Sequence, residues 1–346
     1  MKRILYFKKA EEKITPLIKK LGLRDLNKKG FWPKALEGMG RFYISKCLDN
    51  KKNKYLFKAR IMKSREVLKQ MRHEVAVYRF FQKTPSLKFL FPSLSKEGKS
   101  QGIDWYLRPY QEGLLGGNMG KDLGFTKKFL SLYSPSQVAE AIISLQKIPL
   151  KKLKFLNLYK HGGWWYYQDF YHYKNTFFKF FLKSPLNCGL IKKDIIPLIE
   201  NIFNKNKNFL DDEAKIFTHG DLYPNNFLIL PSQKIFILDW ELAHLNNPTF
   251  DTCFIWMLSN RDKKWQKKFL DLIIKNSDKN FERLFQISLI SLSIRFASAC
   301  WQKLRTEKKG NSNVSFLMKS PAFHFLKHYL KILNQTAASE KNSDGN

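Results

Sequence analysis

Short apolar runs alternate with Lys-rich polar stretches along this chain, and their spacing predicts its elements. Residues 10–21 place apolar side chains at helical spacing, with Pro16 as a break. Residues 36–45 hold Gly38 and Gly40 and then turn apolar, which predicts a Gly-containing turn running into a strand. The polar turn 49–53 leads to a second strand at 55–61. Val67, Met71, Val75 and Tyr78 recur in steps of three and four, so 64–82 reads as a helix. Residues 89–94 read as a loop and 105–110 as a strand. The Gly-rich 112–117 marks a boundary, and a helix over 136–147 starts beside Ser134-Pro135. The sharpest local signal comes later. Two apolar runs, 227–230 and 235–238, flank Pro231-Ser232-Gln233 and predict a β-hairpin. Helices follow, and the polar tail 337–346 reads as disordered. Residues 150–217 show no clean period.

A hairpin returns the chain to its start. Asn226 just precedes its first strand and Asp239 just follows its second, and facing residues of paired strands lie about 5 Å apart. Asp221 stands one loop upstream. Two carboxylates and an amide oxygen of this kind are hard ligands that suit Mg²⁺. Each residue alone is ordinary turn chemistry; the joint pattern H-G-D-x4-N, hairpin, D-W-E is much rarer. Upstream, Gly38 and Gly40 could let backbone N–H groups approach phosphate oxygens, although most G-x-G pairs are plain turns. Lys58 sits on an otherwise apolar strand between Phe57 and Ala59; its alternative reading is a solvent-facing edge-strand Lys.

The stretch His219-Gly220-Asp221-Leu222-Tyr223-Pro224-Asn225-Asn226, followed by Asp239-Trp240-Glu241, resembles the aminoglycoside phosphotransferase and choline kinase family, whose loop commonly reads H-G-D-L-H-P-x-N. The resemblance implies an α+β, bilobal, protein-kinase-like fold. A small antiparallel-sheet lobe with a helical extension would span 1–111. A larger, mostly helical lobe for catalysis and acceptor binding would span 112–336, with a helical substrate subdomain at 150–216. It also implies roles. Asp221 orients and deprotonates the acceptor hydroxyl, while Asn226 and Asp239 hold metal. Lys58 steadies the nucleotide phosphates on a Gly38/Gly40 turn. Glu74, with Glu66 as competitor, pairs with Lys58. The backbone of Arg108 to Tyr110 bonds the adenine edge, where Pro109 offers only a carbonyl. Asp251, in a Pro-x-x-Asp segment, braces the catalytic loop. Gly220 replaces the Arg of the protein-kinase H-R-D, so a phosphorylated activation loop has no partner there. Leu145-Gln146 stands where the family has Leu-His. Tyr223 for His and Asn225 for Gly bear on the acceptor rather than the chemistry.

The implied activity is transfer of the γ-phosphoryl group of ATP, with Mg²⁺, to a hydroxyl of a small molecule such as an amino alcohol, a sugar or an aminoglycoside. Composition changes this picture in two places. The net charge of +33 over 346 residues admits an anionic partner. It also admits AT-rich codon bias, since Lys, Asn, Phe and Ile are abundant and Arg is the minor cation. The first option, joined to the aromatic-basic stretch 164–181, supports a second reading: a nucleotide- or nucleic-acid-binding protein without transferase activity. The same excess of charge argues against a polycationic aminoglycoside. Four scattered Cys residues without a C-x-x-C pair argue against zinc and for reduced thiols in a cytoplasm. No run reaches the roughly 18 uncharged apolar residues of a membrane span. The N-terminus meets charge too soon for a signal peptide.

Overall fold

The computed structural model describes residues 2–26, 41–117, 124–153 and 195–310, together with 324, 327–333 and 335–336. The Gly38/Gly40 turn, the aromatic stretch 164–181 and the tail 337–346 lie outside the described residues. The chain forms two compact units: Met1–Leu115 with Asn226–Leu242, and Gly116–Asn225 with Ala243–Asn346. The hairpin segment thus clusters with the N-terminal residues, and neither unit is one continuous stretch.

In the first unit, helix α1 (Lys2–Lys20) precedes strand β1 (Leu23–Asp25). It starts earlier than its apolar spacing predicts and runs through Pro16 instead of breaking there. Strands β2 (Phe42–Asp49), β3 (Lys54–Arg60), β4 (Lys96–Ser100) and β5 (Ile103–Pro109) complete an antiparallel sheet of order β1-β2-β3-β5-β4. Strand alternation divides the sheet into two faces. Tyr43, Phe57, Ala59, Trp105 and Leu107 are buried on one. Lys58 and Tyr106 lie opposite each other on the other. Helix α2 (Arg65–Gln82) covers that second face, Tyr78 meeting Tyr106 at 5.9 Å between ring centroids. A separate three-stranded sheet pairs β6 (Leu114–Leu115) with β8 (Phe227–Ile229), and β8 with β9 (Ile235–Ile237). β8 and β9 are the expected hairpin, with Phe227 facing Ile237 and Gln233 in the left-handed region (φ 61°) at the turn.

In the second unit, Ser134 caps α4 (Pro135–Gln146) in a reciprocal capping box with Gln137, after the short α3 (Lys127–Leu132). Helices α5 (Ile195–Lys205) and α6 (Lys207–Glu213) lead into β7 (Ile216–Thr218), which pairs antiparallel with β10 (His244–Asn246). Then follow α7 (Phe250–Leu258), α8 (Lys263–Ile274) and α9 (Phe281–Gly310). Ile199, Ile202 and Phe203 of α5 pack with Leu284, Ile287, Ile290 and Ile294 of α9 and with Leu333. Each such side chain contributes roughly 1.5–3 kcal/mol by leaving water. Residues Phe281–Trp301 of α9 are apolar and long enough to cross a bilayer, but 78% of that window is buried inside the fold, as in a core helix.

Candidate active site

The first unit gathers charges from five places in the sequence around Lys58. Its Nζ lies 2.8 Å from Glu74 Oε2, 2.9 Å from Asp239 Oδ1 and 3.4 Å from Glu241 Oε2. The Phe42 ring sits 4.4 Å from the same nitrogen. Glu74 comes from the third turn of α2, on the face turned to the sheet, and pairs with Lys58; the side chain of its competitor Glu66 lies outside the described ones. Arg41 closes the group, donating through Nη2 to Glu241 Oε1 at 2.8 Å and through Nη1 to Gln70 Oε1 at 2.9 Å. Burial works against the Lys58 charge, but the carboxylates of Asp239 and Glu74 more than offset it and hold its pKa well above the usual value. Burial pushes the Glu74 carboxyl up, with Lys58 pulling it back. Burial and the nearby Asp239 push Glu241 up to about 7 against the pull of Lys58 and Arg41.

The local chain explains this geometry. Leu238 N–H donates to Asn226 O at 2.8 Å, which closes the open end of the hairpin. Asp239 then adopts a left-handed backbone (φ 64°), a conformation that costs a non-glycine residue about 1–3 kcal/mol. Trp240 is fully buried against Phe81 and donates its indole N–H to Ile237 O. With Trp240 inward, Asp239 and Glu241 on either side of it both meet Lys58. Glu74, Asp239 and Glu241 each offer an oxygen within 4.8 Å of the others. Three carboxylates face two cations, Lys58 and Arg41, so with all three ionised the group carries one surplus negative charge. That donor set and charge fit a hard divalent cation. Asn226 is buried at the mouth of the hairpin.

The second unit holds the H-G-D loop by a different device. Asp251, at the start of α7, accepts from His219 N–H at 2.6 Å and from Gly220 N–H at 3.1 Å. This is the bracing position the resemblance implies. Gly220 has φ 80°, so the family's Gly for Arg exchange coincides with a backbone that favours glycine. Burial pushes the Asp251 carboxyl up to about 7 although both amides pull it down. Gln146 donates to Pro248 O at 2.6 Å and so fixes the segment before Asp251. Asp221 N–H donates to His219 Nδ1 at 3.2 Å, and its Oδ1 lies 3.4 Å from Arg295 Nη2. Arg295, from α9, also lies over the rings of Tyr223 and Phe254, at 5.9 and 5.1 Å.

Of the sequence-predicted site residues, the first unit brings together Lys58, Glu74 and Asp239. Gly38 and Gly40 lie outside the described residues. The expectation for the base-binding backbone is narrowed on its donor side, with the Pro109 carbonyl untouched by the sheet pairing. Arg108 lies within β5 opposite Leu56, and Tyr110 N–H donates to Lys54 O at 2.9 Å. Sheet pairing has taken the donor that Tyr110 would offer, and Pro109 has none. Three residues escaped sequence reasoning. Glu241 was visible as the last letter of D-W-E but had no role. Arg41 followed the Gly turn without a partner in view. Arg295 was the lone charge interrupting the most apolar run, and that was the available signal.

Comparison with known proteins bears on the fold. The model of a family described as "Phosphotransferase enzyme family" matches residues 191–283. The chain is similar to the LicA homolog of Mycoplasma capricolum subsp. capricolum, with 28% identity over 131 residues, 38% of this chain and 49% of that protein. It spans about half the length, or less, of the curated relatives it matches. Its fold is similar to that of macrolide 2'-phosphotransferase MphH from Brachybacterium faecium (TM-score 0.54, 12% identity, 93% of this chain and 98% of that one). It is also similar to choline kinase LicA from Streptococcus pneumoniae (TM-score 0.50, 13% identity, 94% and 98%). The fold is therefore the protein-kinase-like one of the small-molecule phosphotransferases. Within that class the resemblance read from the H-G-D loop, to the aminoglycoside phosphotransferases and choline kinases, holds.

Proposed function

We propose that this chain is an ATP- and Mg²⁺-dependent phosphotransferase that moves the γ-phosphoryl group to a hydroxyl of a small molecule. The observation that carries the reading is Lys58 held at 2.8 and 2.9 Å between Glu74 and Asp239, residues 16 and 181 positions away in sequence. Asn226 and Asp239 would hold Mg²⁺, with Glu241 beside them. The ion, when bound, supplies neutralisation of the β- and γ-phosphate oxygens. Lys58, kept charged by its carboxylates and anchored by Glu74, would steady the α- and β-phosphates. Asp221 would orient the acceptor hydroxyl and take its proton. Its carboxylate is positioned by Arg295, and its loop by Asp251. Catalysis of this kind is mainly positioning and charge stabilisation.

The curated relatives are LicA proteins, and one related structure is a choline kinase, so choline and other amino alcohols are the first acceptors to test. The net charge of +33 disfavours a polycationic aminoglycoside more than a singly charged amino alcohol. The free, buried thiols of Cys47 and Cys253 fit a cytoplasmic setting. The test is calorimetry with Mg-ATP, then labelled-phosphate transfer to choline, ethanolamine and kanamycin. Asp239→Ala should lose Mg²⁺-dependent binding, and transfer should drop on the order of 10³-fold. Parent-like Mg-ATP binding by that variant would refute the metal assignment.

A further inference from the structure

Arg108 is a buried cation that lacks the counter-charge its neighbours have. It is 7% exposed. Its guanidinium makes one long hydrogen bond, Nη1 to Pro109 O at 3.5 Å, and its Nε has no partner. No carboxylate ion-pairs with it among the described residues. By contrast Arg41, Lys58, Arg60, Arg72 and Arg79 in the same unit each meet an acid. The Tyr78 hydroxyl, on α2 one turn beyond Glu74, is also buried without a partner. The Arg108 charge acts on both Tyr78 and Tyr106, whose phenols burial pushes up. Both groups lie in the interior of the unit that carries Lys58: Arg108 stands two residues along β5 from Tyr106, whose ring meets that of Tyr78 at 5.9 Å. An unpaired buried guanidinium is costly, and a ligand that offers it an acceptor would offset that cost.

The strand register shows which part of a ligand would meet it. Lys58 faces Tyr106 across β3 and β5, and Leu56 faces Arg108. Arg108 is therefore on the Lys58 face, two residues nearer the end of β5, roughly 7 Å along the strand. If Lys58 holds the α- and β-phosphates, as proposed above, a ribose spans that interval and the base arrives at Arg108. A guanidinium donates only. The acceptor that adenine and guanine share on their outer edge is N7, and guanine adds O6 beside it, the pair that Arg reads bidentately. We infer that the Arg108 side chain, rather than its backbone, reads the purine at N7, and at N7 plus O6 when the base is guanine. This inference rests on the nucleotide reading of the Lys58 site and adds a specificity residue to it.

The test is calorimetric and needs no acceptor. The full chain is titrated with the Mg²⁺ complexes of ATP, 7-deaza-ATP and GTP, and the titrations are repeated with Arg108→Met and Arg108→Lys. The parent should bind 7-deaza-ATP about tenfold more weakly than ATP, and GTP at least as tightly as ATP. Arg108→Met should bind ATP and 7-deaza-ATP alike, at the weaker level, with Arg108→Lys between. If Arg108→Met does not fold, the parent's discrimination between ATP and 7-deaza-ATP decides alone. Equal binding of those two nucleotides by the parent overturns the Arg108 assignment and leaves the phosphotransferase reading standing. A folded parent that binds no nucleotide overturns both.

Discussion

The two units solve the same problem, a buried carboxylate beside a reactive position, with opposite means. In the first, Glu74 and Glu241 are met by side-chain cations, Lys58 of β3 and Arg41 just before β2. In the second, Asp251 is held by two backbone N–H groups of the loop it braces. Side-chain pairs can change partners; backbone amides of a packed loop cannot. The exposures follow that division. The Glu74 side chain is 1% exposed and that of Asp239 is 41%, so one carboxylate holds Lys58 from the interior while the other reaches solvent. The first unit thus holds its acids by side chains that can repartner, and the second holds a loop still.

The sharpest way to break this contrast is Lys58→Met. It strips the cation from two buried acids, and removing one partner of a buried pair typically costs about 3–5 kcal/mol. Urea unfolding should show a loss of that size. Lys58→Met combined with Glu74→Gln should recover part of it, because the uncompensated charge goes as well. A loss below about 1 kcal/mol would mean that the cluster is solvated rather than buried.

The second unit should respond to pH through Asp251, where the first responds through Glu241. Burial raises Asp251 from 3.8 to about 7. A carboxyl whose folded pKa lies above its unfolded one binds more protons folded than unfolded between the two values. Its contribution to stability is therefore fully present below about pH 4 and falls as pH rises to about 7, by up to about 4 kcal/mol. Asp251→Asn removes the titration and keeps an acceptor for one amide. The stability difference between parent and variant, followed by urea midpoint from pH 4 to 8, should move in the variant's favour as pH rises. A pH-independent difference would show that the two amides keep Asp251 ionised throughout.

The same contrast explains what the sequence could reveal. The hairpin was legible because β8 and β9 are neighbours in sequence, with apolar runs on either side of a turn. Lys58 and Glu74 were legible because one interrupts an apolar strand and the other lies on a periodic helix. Strand β4 was not: Lys-Glu-Gly-Lys-Ser has no apolar alternation and becomes a strand only by pairing with β5. Arg41 with Glu241 and Arg295 with Asp221 were hidden for a related reason, being 200 and 74 residues apart. No local period carries such contacts. The use of the Tyr110 donor by the sheet was hidden because residue types do not show which backbone donors a sheet has already taken.

Glycines sharpen the comparison at the smallest scale, since each unit spends one differently. Gly113, in the first, is a matter of space: an added Cβ would lie 2.2 Å from Ile229 O, on the strand that pairs with β6. Gly113→Ala must push the β6–β8 pairing apart, and overpacking of this kind costs about 1–3 kcal/mol. Gly220, in the second, is a matter of torsion, with φ 80°. Gly220→Ala should cost only about 1–2 kcal/mol in urea unfolding. Relaxing that torsion, however, would move the amide that Asp251 holds and, with it, Asp221. Phosphoryl transfer should therefore fall more in Gly220→Ala than in Gly113→Ala, although the latter is the less stable protein. If activity tracked stability in both variants, the second unit's loop would owe its position to packing and not to the Asp251 brace.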